Sequence, residues 1–135
     1  MTRPPDLETD ADALARRHAL WEALSELWLD NELQPRDIAR IAAVIAASPY
    51  TLAQVHAIHD FEVAPAVSGN LTLVAGEWAY FDPAWLRERC TVQARLRDMP
   101  GHRLGVWLRR WWVRYHTADL WRRIAAQLAR PDSRR

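Results

Sequence analysis

The chain has 135 residues, of which 50% are hydrophobic and 26% charged, with a formal net charge of +1. That length suits one domain able to bury roughly two thirds of its unfolded surface without disulfides or metals. The longest apolar runs fall far short of the roughly 20 residues a membrane span needs. The composition therefore excludes a membrane-spanning helix, and the single cysteine, Cys90, excludes a disulfide framework.

All 18 basic residues are arginine. Together with abundant alanine, this is what a GC-rich bacterial genome produces, so arginine content by itself carries no function. Placement says more. Residues 1–86 hold 5 Arg against 13 Asp and Glu, net −8, whereas 87–135 hold 13 Arg against 4 acids, net +9. Two arrangements satisfy this polarity. Basic C-terminal helices could lie against acidic N-terminal ones, or a basic face could remain open for an anionic partner.

Residues 1–8, with Pro4-Pro5, read as a loose leader. Thr9, with Asp12 in the first turn, predicts the cap of a first helix over about 10–29, on which Leu14, Trp21, Leu24 and Trp28 recur at near-helical spacing. Pro35 at a first helical position, with Ile38, Ile41, Ala42 and Ile45 on one stripe, predicts a second helix over about 35–47. Thr51 and Gln54 have capping-box spacing and open a third, about 52–63, along which Leu52, Val55, His59 and Glu62 share a line. Pro65 should break or kink it, with a fourth helix restarting there.

The stretch Asn70–Trp85 is the densest in apolar and aromatic residues and encloses the acid Glu77. Val67, Leu71, Val74, Trp78 and Phe81 match a helical stripe better than any alternation of period two. This segment reads as a structural hub: Gly76 as a point of close helix approach or, alternatively, a bend, Glu77 as a buried anchor paired with an arginine, Trp78 as core, and Asp82 as the cap of the next helix, with Pro83 at its first position. That helix, about 83–98, carries Trp85, Val92, Leu96 and Met99 on its apolar line, with Leu86 and Cys90 beside it. Pro100-Gly101 reads as a turn. A last long helix follows over about 104–129, with Leu104, Trp107, Leu108, Trp111, Tyr115, Ala118, Trp121, Ala125 and Leu128 as its apolar stripe, and a loose tail at 131–135. The expected fold is a single all-α bundle of five or six helices across 1–135, with a long C-terminal helix.

Chemistry is sparse. His56, His59 and Asp60 form the one histidine cluster, but a useful zinc site needs three or four suitable ligands, and no metal or other cofactor is expected. Glu77 among apolar neighbours invites reading as a general acid, yet no second carboxylate stands at a defined spacing. There is no nucleophile elbow and no phosphate-cradling glycine loop, so no catalytic residue is assigned. The surface that stands out is on the long helix. Arg103, Arg110 and Arg114 lie close to one line, Arg109 extends the basic region, and Trp112 projects away from the Trp107/Trp111 stripe. Arginine beside tryptophan serves phosphate and base contacts, and equally serves protein-interface hot spots.

Trp21-Glu22-Ala23-Leu24-Ser25, Leu29-Asp30 with Glu32-Leu33, Tyr50-Thr51-Leu52, Glu62-Val63-Ala64-Pro65 and Val74-Ala75-Gly76-Glu77-Trp78 resemble an uncharacterised bacterial family of small proteins classed as a domain of unknown function. The resemblance covers about residues 16–90 and implies a compact bacterial domain, with no activity attached. Composition, motifs and resemblance together predict a non-catalytic protein-interaction or regulatory module, immunity- or adaptor-like, in the bacterial cytoplasm. One alternative is a nucleic-acid-binding protein using the Arg/Trp face. The other is a small enzyme or metalloprotein using Glu77 and His56/His59.

Overall fold

The computed structural model describes residues 3–28, 33–68, 82–96 and 98–129. Among these the protein is all-α, with no strand: α1 Ala11–Ser25, α2 Pro35–Ala47, α3 Leu52–Ile58, α4 Ala64–Ser68, α5 Pro83–Arg95 and α6 Pro100–Leu128. A short 3-10 turn, Glu26–Trp28, extends α1, and a π-helical turn, His59–Val63, joins α3 to α4 without a break.

Local chemistry sets the helix starts. The α1 cap is Asp10 rather than Thr9, its carboxylate accepting from the Ala13 N–H at 3.0 Å. Pro35 opens α2, and the Gln34 N–H donates to Asp37 at 2.9 Å. Thr51 and Gln54 cap α3 reciprocally. Asp82 accepts from the Trp85 N–H at 2.9 Å, with Pro83 beside it. Pro100-Gly101 is not a turn before the last helix but its first turn, because proline at that position lacks only a donor that would go unused. The helix it opens has 29 residues and is about 44 Å long.

Pro65 does not break the third helix. The chain widens just before it, and the Ala64 N–H reaches back to the His59 carbonyl rather than to that of Asp60. A π turn enlarges the ring at the point where a proline would strike the preceding turn of an α-helix, so the helix passes through the proline. The widened turn also sits centrally, in contact with α1, α3, α4, α5 and α6.

The core is built from Leu20, Trp21, Leu24, Leu27 and Trp28 of α1 and its extension, Ile38, Ile41 and Ile45 of α2, Val55 and Ile58 of α3, Val63 and Val67 around α4, and Leu86 and Cys90 of α5. The two most apolar helical runs, Pro35–Ala47 and Leu52–Val67, are bent by 110° against each other, and among the described residues no single helix is long and apolar enough to cross a membrane. The α5 helix turns Leu86, Cys90 and Ala94 inward, leaving Val92, Leu96 and Met99 exposed. Residues 3–9 have no regular structure, as Pro4-Pro5 dictates, but are not loose: the Pro5 and Asp6 carbonyls accept from Arg17 at 2.9 and 3.1 Å.

The long helix α6 packs chiefly on α2. Its buried residues are Val106, Val113, Thr117 and Ile124, while Leu120, Trp121 and Leu128 pack partly against the core. The expected stripe of Leu104, Trp107, Leu108, Trp111 and Tyr115 faces solvent instead. Close helix packing favours small and β-branched side chains at the contact, and Thr117 satisfies its own hydroxyl by donating to the Val113 carbonyl at 2.8 Å.

Candidate functional site

Two groups of polar and aromatic side chains stand out, one inside the protein and one on α6. Inside, Glu62 on the π turn is fully buried and takes two hydrogen bonds from the equally buried Arg17 of α1, one of them from Nε at 3.1 Å, and a third from Trp21 Nε1 at 2.7 Å. Burial works against the Arg17 charge, but the hydrogen bond and charge of Glu62 outweigh it and raise the guanidinium above its usual value. Arg17 also meets Glu8 at 3.4 Å, and the Tyr50 hydroxyl donates to the same carboxylate. Burial and the Glu8 bond push the Tyr50 hydroxyl up to about 12 from 10.0. A raised acid contributes stability that is complete below its unfolded value and lost as pH rises through its folded one. The protein should therefore lose stability between pH 10.0 and about 12 as Tyr50 ionises, and Tyr50→Phe should flatten that part of a stability-versus-pH curve measured by denaturant unfolding.

Next to this pair, Trp28 Nε1 donates to His59 Nε2 at 2.9 Å, and His59 Nδ1 donates to Asp60 at 3.1 Å. Both ring nitrogens are thus engaged, leaving no lone pair for a metal or a proton transfer. His56 does not pair with Asp60; its ring lies 4.0 Å from that of Trp121, and burial holds its pKa below the usual histidine value. Among the described residues no three His, Cys, Asp or Glu side chains group to hold a metal ion. Burial, assisted by the Glu62 charge, pushes the Cys90 thiol far up, so it stays protonated and inert. In this polar core Arg17, Glu62, Trp21, Trp28 and His59 are hydrogen-bonded to one another, while Glu8 Oε2 is buried without a hydrogen-bond partner.

On α6, Leu104, Trp107, Leu108, Trp111 and Tyr115 follow one another at helical spacing, with Trp111 68% and Tyr115 88% exposed. The Arg110 guanidinium lies over this row, 5.1 Å from the Trp107 ring and 5.2 Å from the Trp111 ring, positions in which cation–π attraction holds it. Arg103 and Arg114 are exposed along the same border. Arg109 lies on the other side of the helix, in the wall of a cleft that Arg110 also reaches. Trp112 is half exposed but leans back on the core, its ring 5.6 Å from both Trp28 and His116.

Of the hub residues, Asp82 is the α5 cap, while Gly76, Glu77 and Trp78 lie outside the described residues. The buried Arg–Glu anchor expected at Glu77 has a counterpart at Glu62, which sequence reasoning placed on a helix line without a role. Its partner Arg17 falls on the α1 stripe between Leu14 and Trp21. A charged residue at an apolar register position on each of two helices was the available signal.

Fold and surface define a small all-α domain with a buried, hydrogen-bonded ion pair at its centre and, among the described residues, one apolar helix face that nothing covers. The chain belongs to the family described as Domain of unknown function (DUF7079), whose model matches residues 15–127, so the long helix lies within the family domain almost to its end. No curated protein and no solved structure matches the chain.

Proposed function

We propose that the protein is a non-catalytic interaction module that binds an acidic, amphipathic segment of another protein along the Leu104–Tyr115 face of α6, in the bacterial cytoplasm. The observation that carries this reading is the unbroken exposed row Leu104, Trp107, Leu108, Trp111 and Tyr115. Burying a large apolar side chain on binding is worth about 1.5–3 kcal/mol, and contiguous apolar surface is uncommon where nothing covers it.

Charge selects the occupant. The α6 helix carries Arg103, Arg109, Arg110, Arg114, Arg122 and Arg123 against the single acid Asp119, and among the described residues none of these arginines pairs with an acid of another element. A second copy docking α6 on α6 would set arginine against arginine. Nucleic acid would use the arginines and tryptophans, but Leu104 and Leu108 between them suit an apolar protein surface. Arginine-only basic composition with abundant alanine supports the bacterial origin, and a free cysteine supports a reducing compartment.

A photo-cross-linking residue at Tyr115 tests this in cells, with one at exposed Ala46 on α2 as control. The expected result is one cross-linked acidic protein from position 115 only, its yield falling about a hundredfold or more when Leu108 and Trp111 are both changed to Glu. The doubly changed protein should keep its Tm, because both side chains are exposed. Cross-linking to a second copy, to nucleic acid, or equally from Ala46 would overturn the reading.

A further inference from the structure

Arginine presents its donors as a fork on more than one edge, and Arg17 uses two of those edges. The Nε side faces Glu62 inside the protein. The Nη1–Nη2 end faces residues 3–9: Nη2 donates to the Pro5 carbonyl at 2.9 Å, and Nη1 donates to that of Asp6 at 3.1 Å and to Glu8 at 3.4 Å. The Tyr50 hydroxyl donates to the same Glu8 oxygen, and the guanidinium lies 5.7 Å from the Tyr50 ring. Pro4 is buried and Leu7 packs against the core.

These are the contacts a groove makes with an extended peptide. Successive main-chain carbonyls are read by a fixed pair of donors, apolar side chains fill the surface beside them, and one acid is recognised. The segment is also dispensable to the helix it precedes, because α1 has its own cap in Asp10. A further tie, Arg3 to Asp98 at 2.8 Å, is more than half exposed on both sides and adds little. The fit of Glu8 is imperfect. The Arg17 charge is already met by Glu62, and Glu8 Oε2 is buried without a hydrogen-bond partner, which weakens the seated state. A ligand not tied to α1 through Thr9 is free to turn that oxygen to water.

We propose that residues 3–9 are an autoinhibitory strap, seated in cis in a docking groove of Arg17 and Tyr50 that takes in trans an extended segment of another protein, with prolines and a glutamate spaced as Pro4, Pro5 and Glu8. Arg17 holds two successive carbonyls of the incoming segment and Tyr50 its carboxylate, while the prolines keep it extended before it binds. Exchange of identical straps between two copies makes no new contact, so another protein is the occupant that gains. While the strap is seated the groove is closed, and the apparent affinity for the incoming segment falls by the fraction of molecules that are open. The groove shares no residue with the exposed row on α6.

Fluorescence anisotropy of a labelled peptide with the sequence of residues 3–10 tests this on the full chain. Leu7→Asp with Glu8→Ala weakens the strap and leaves Arg17 and Tyr50 in place, so this variant should bind the peptide at least about tenfold more tightly than the parent. Glu8→Ala alone, which leaves Leu7 on the core, should bind it about threefold more tightly, and decides the matter if the double variant does not fold. Adding Tyr50→Phe to either should weaken the peptide by about threefold to tenfold. Equal affinity for parent and strap variants, no saturable binding at millimolar peptide, or equal binding of a scrambled peptide would overturn the proposal. So would a concentration-dependent dimer of the parent in sedimentation that the strap variants lack, since the groove would then take the strap of a second copy. Leu108→Glu should leave peptide binding intact, so failure of the α6 interaction reading and failure of this one are separable.

Discussion

Glu62→Gln should lower the unfolding free energy by about 3–5 kcal/mol, the usual cost of removing one partner from a buried ion pair. The substitution keeps the shape of the side chain but removes the charge facing the Arg17 guanidinium, which is fully buried and would then be compensated by Glu8, the Pro5 and Asp6 carbonyls and the Tyr50 ring among its described partners. The new amide would also point a donor at a donor or give up one of its bonds. A paired replacement, Arg17→Met with Glu62→Leu, removes both charges of the pair and should recover stability to within about 2 kcal/mol of the parent, limited by the orphaned Trp21 N–H and by the Glu8 carboxylate, which loses its arginine. Denaturant midpoints of the two single variants and the double variant form a cycle that isolates the coupling. A loss under about 1 kcal/mol for Glu62→Gln would mean that water reaches the pair.

Trp28→Ala should cost about 3–5 kcal/mol, as truncation of a large core aromatic does. The Trp28 ring is 1% exposed and stacks on His59 at 5.9 Å and on His116 at 4.8 Å, so it ties the end of α1 to the π turn and to α6. Trp28→Phe separates the ring from its N–H: most packing is kept, but His59 Nε2 loses its donor inside the protein, a penalty of about 1–3 kcal/mol. By contrast, Trp111→Ala on the exposed face should change stability by no more than about 0.5 kcal/mol. Thermal and denaturant unfolding of the three variants decides the matter. Equal losses for Trp28→Ala and Trp111→Ala would show that α6 buries a different face in solution.

The contrast between these tryptophans shows where sequence reasoning stopped. Both sit at apolar positions of a helical stripe, and periodicity cannot separate them. On α1 the stripe through Trp21, Leu24 and Trp28 is the buried one. On α6 the most apolar stripe is exposed, and the buried face is a plainer row of Val106, Val113, Thr117 and Ile124. Two helices packed closely accept small residues more readily than tryptophan, and a threonine bonded to its own backbone counts as apolar in effect. Neither fact is visible in a hydropathy pattern. The candidate arginines were legible as a basic helix but not as two groups, since only the placement of α5 and the π turn puts Arg109 in a cleft and Arg103 and Arg114 outside it.

What the residues determined by themselves is what near neighbours decide: Pro35, Thr51 with Gln54, and Asp82-Pro83 start helices where they stand, because a cap or a proline acts within one turn. The all-α class and the long last helix follow from the same short-range rules. Tertiary structure alone decided the centre of the protein. Arg17 and Glu62 are 45 residues apart, and Trp28 and His59 are 31 apart. A buried charge or ring nitrogen is stable only where its partner arrives, so the pairing belongs to the assembled fold. The same holds for the α6 face that nothing covers among the described residues, which is exposed because α2 took the other side.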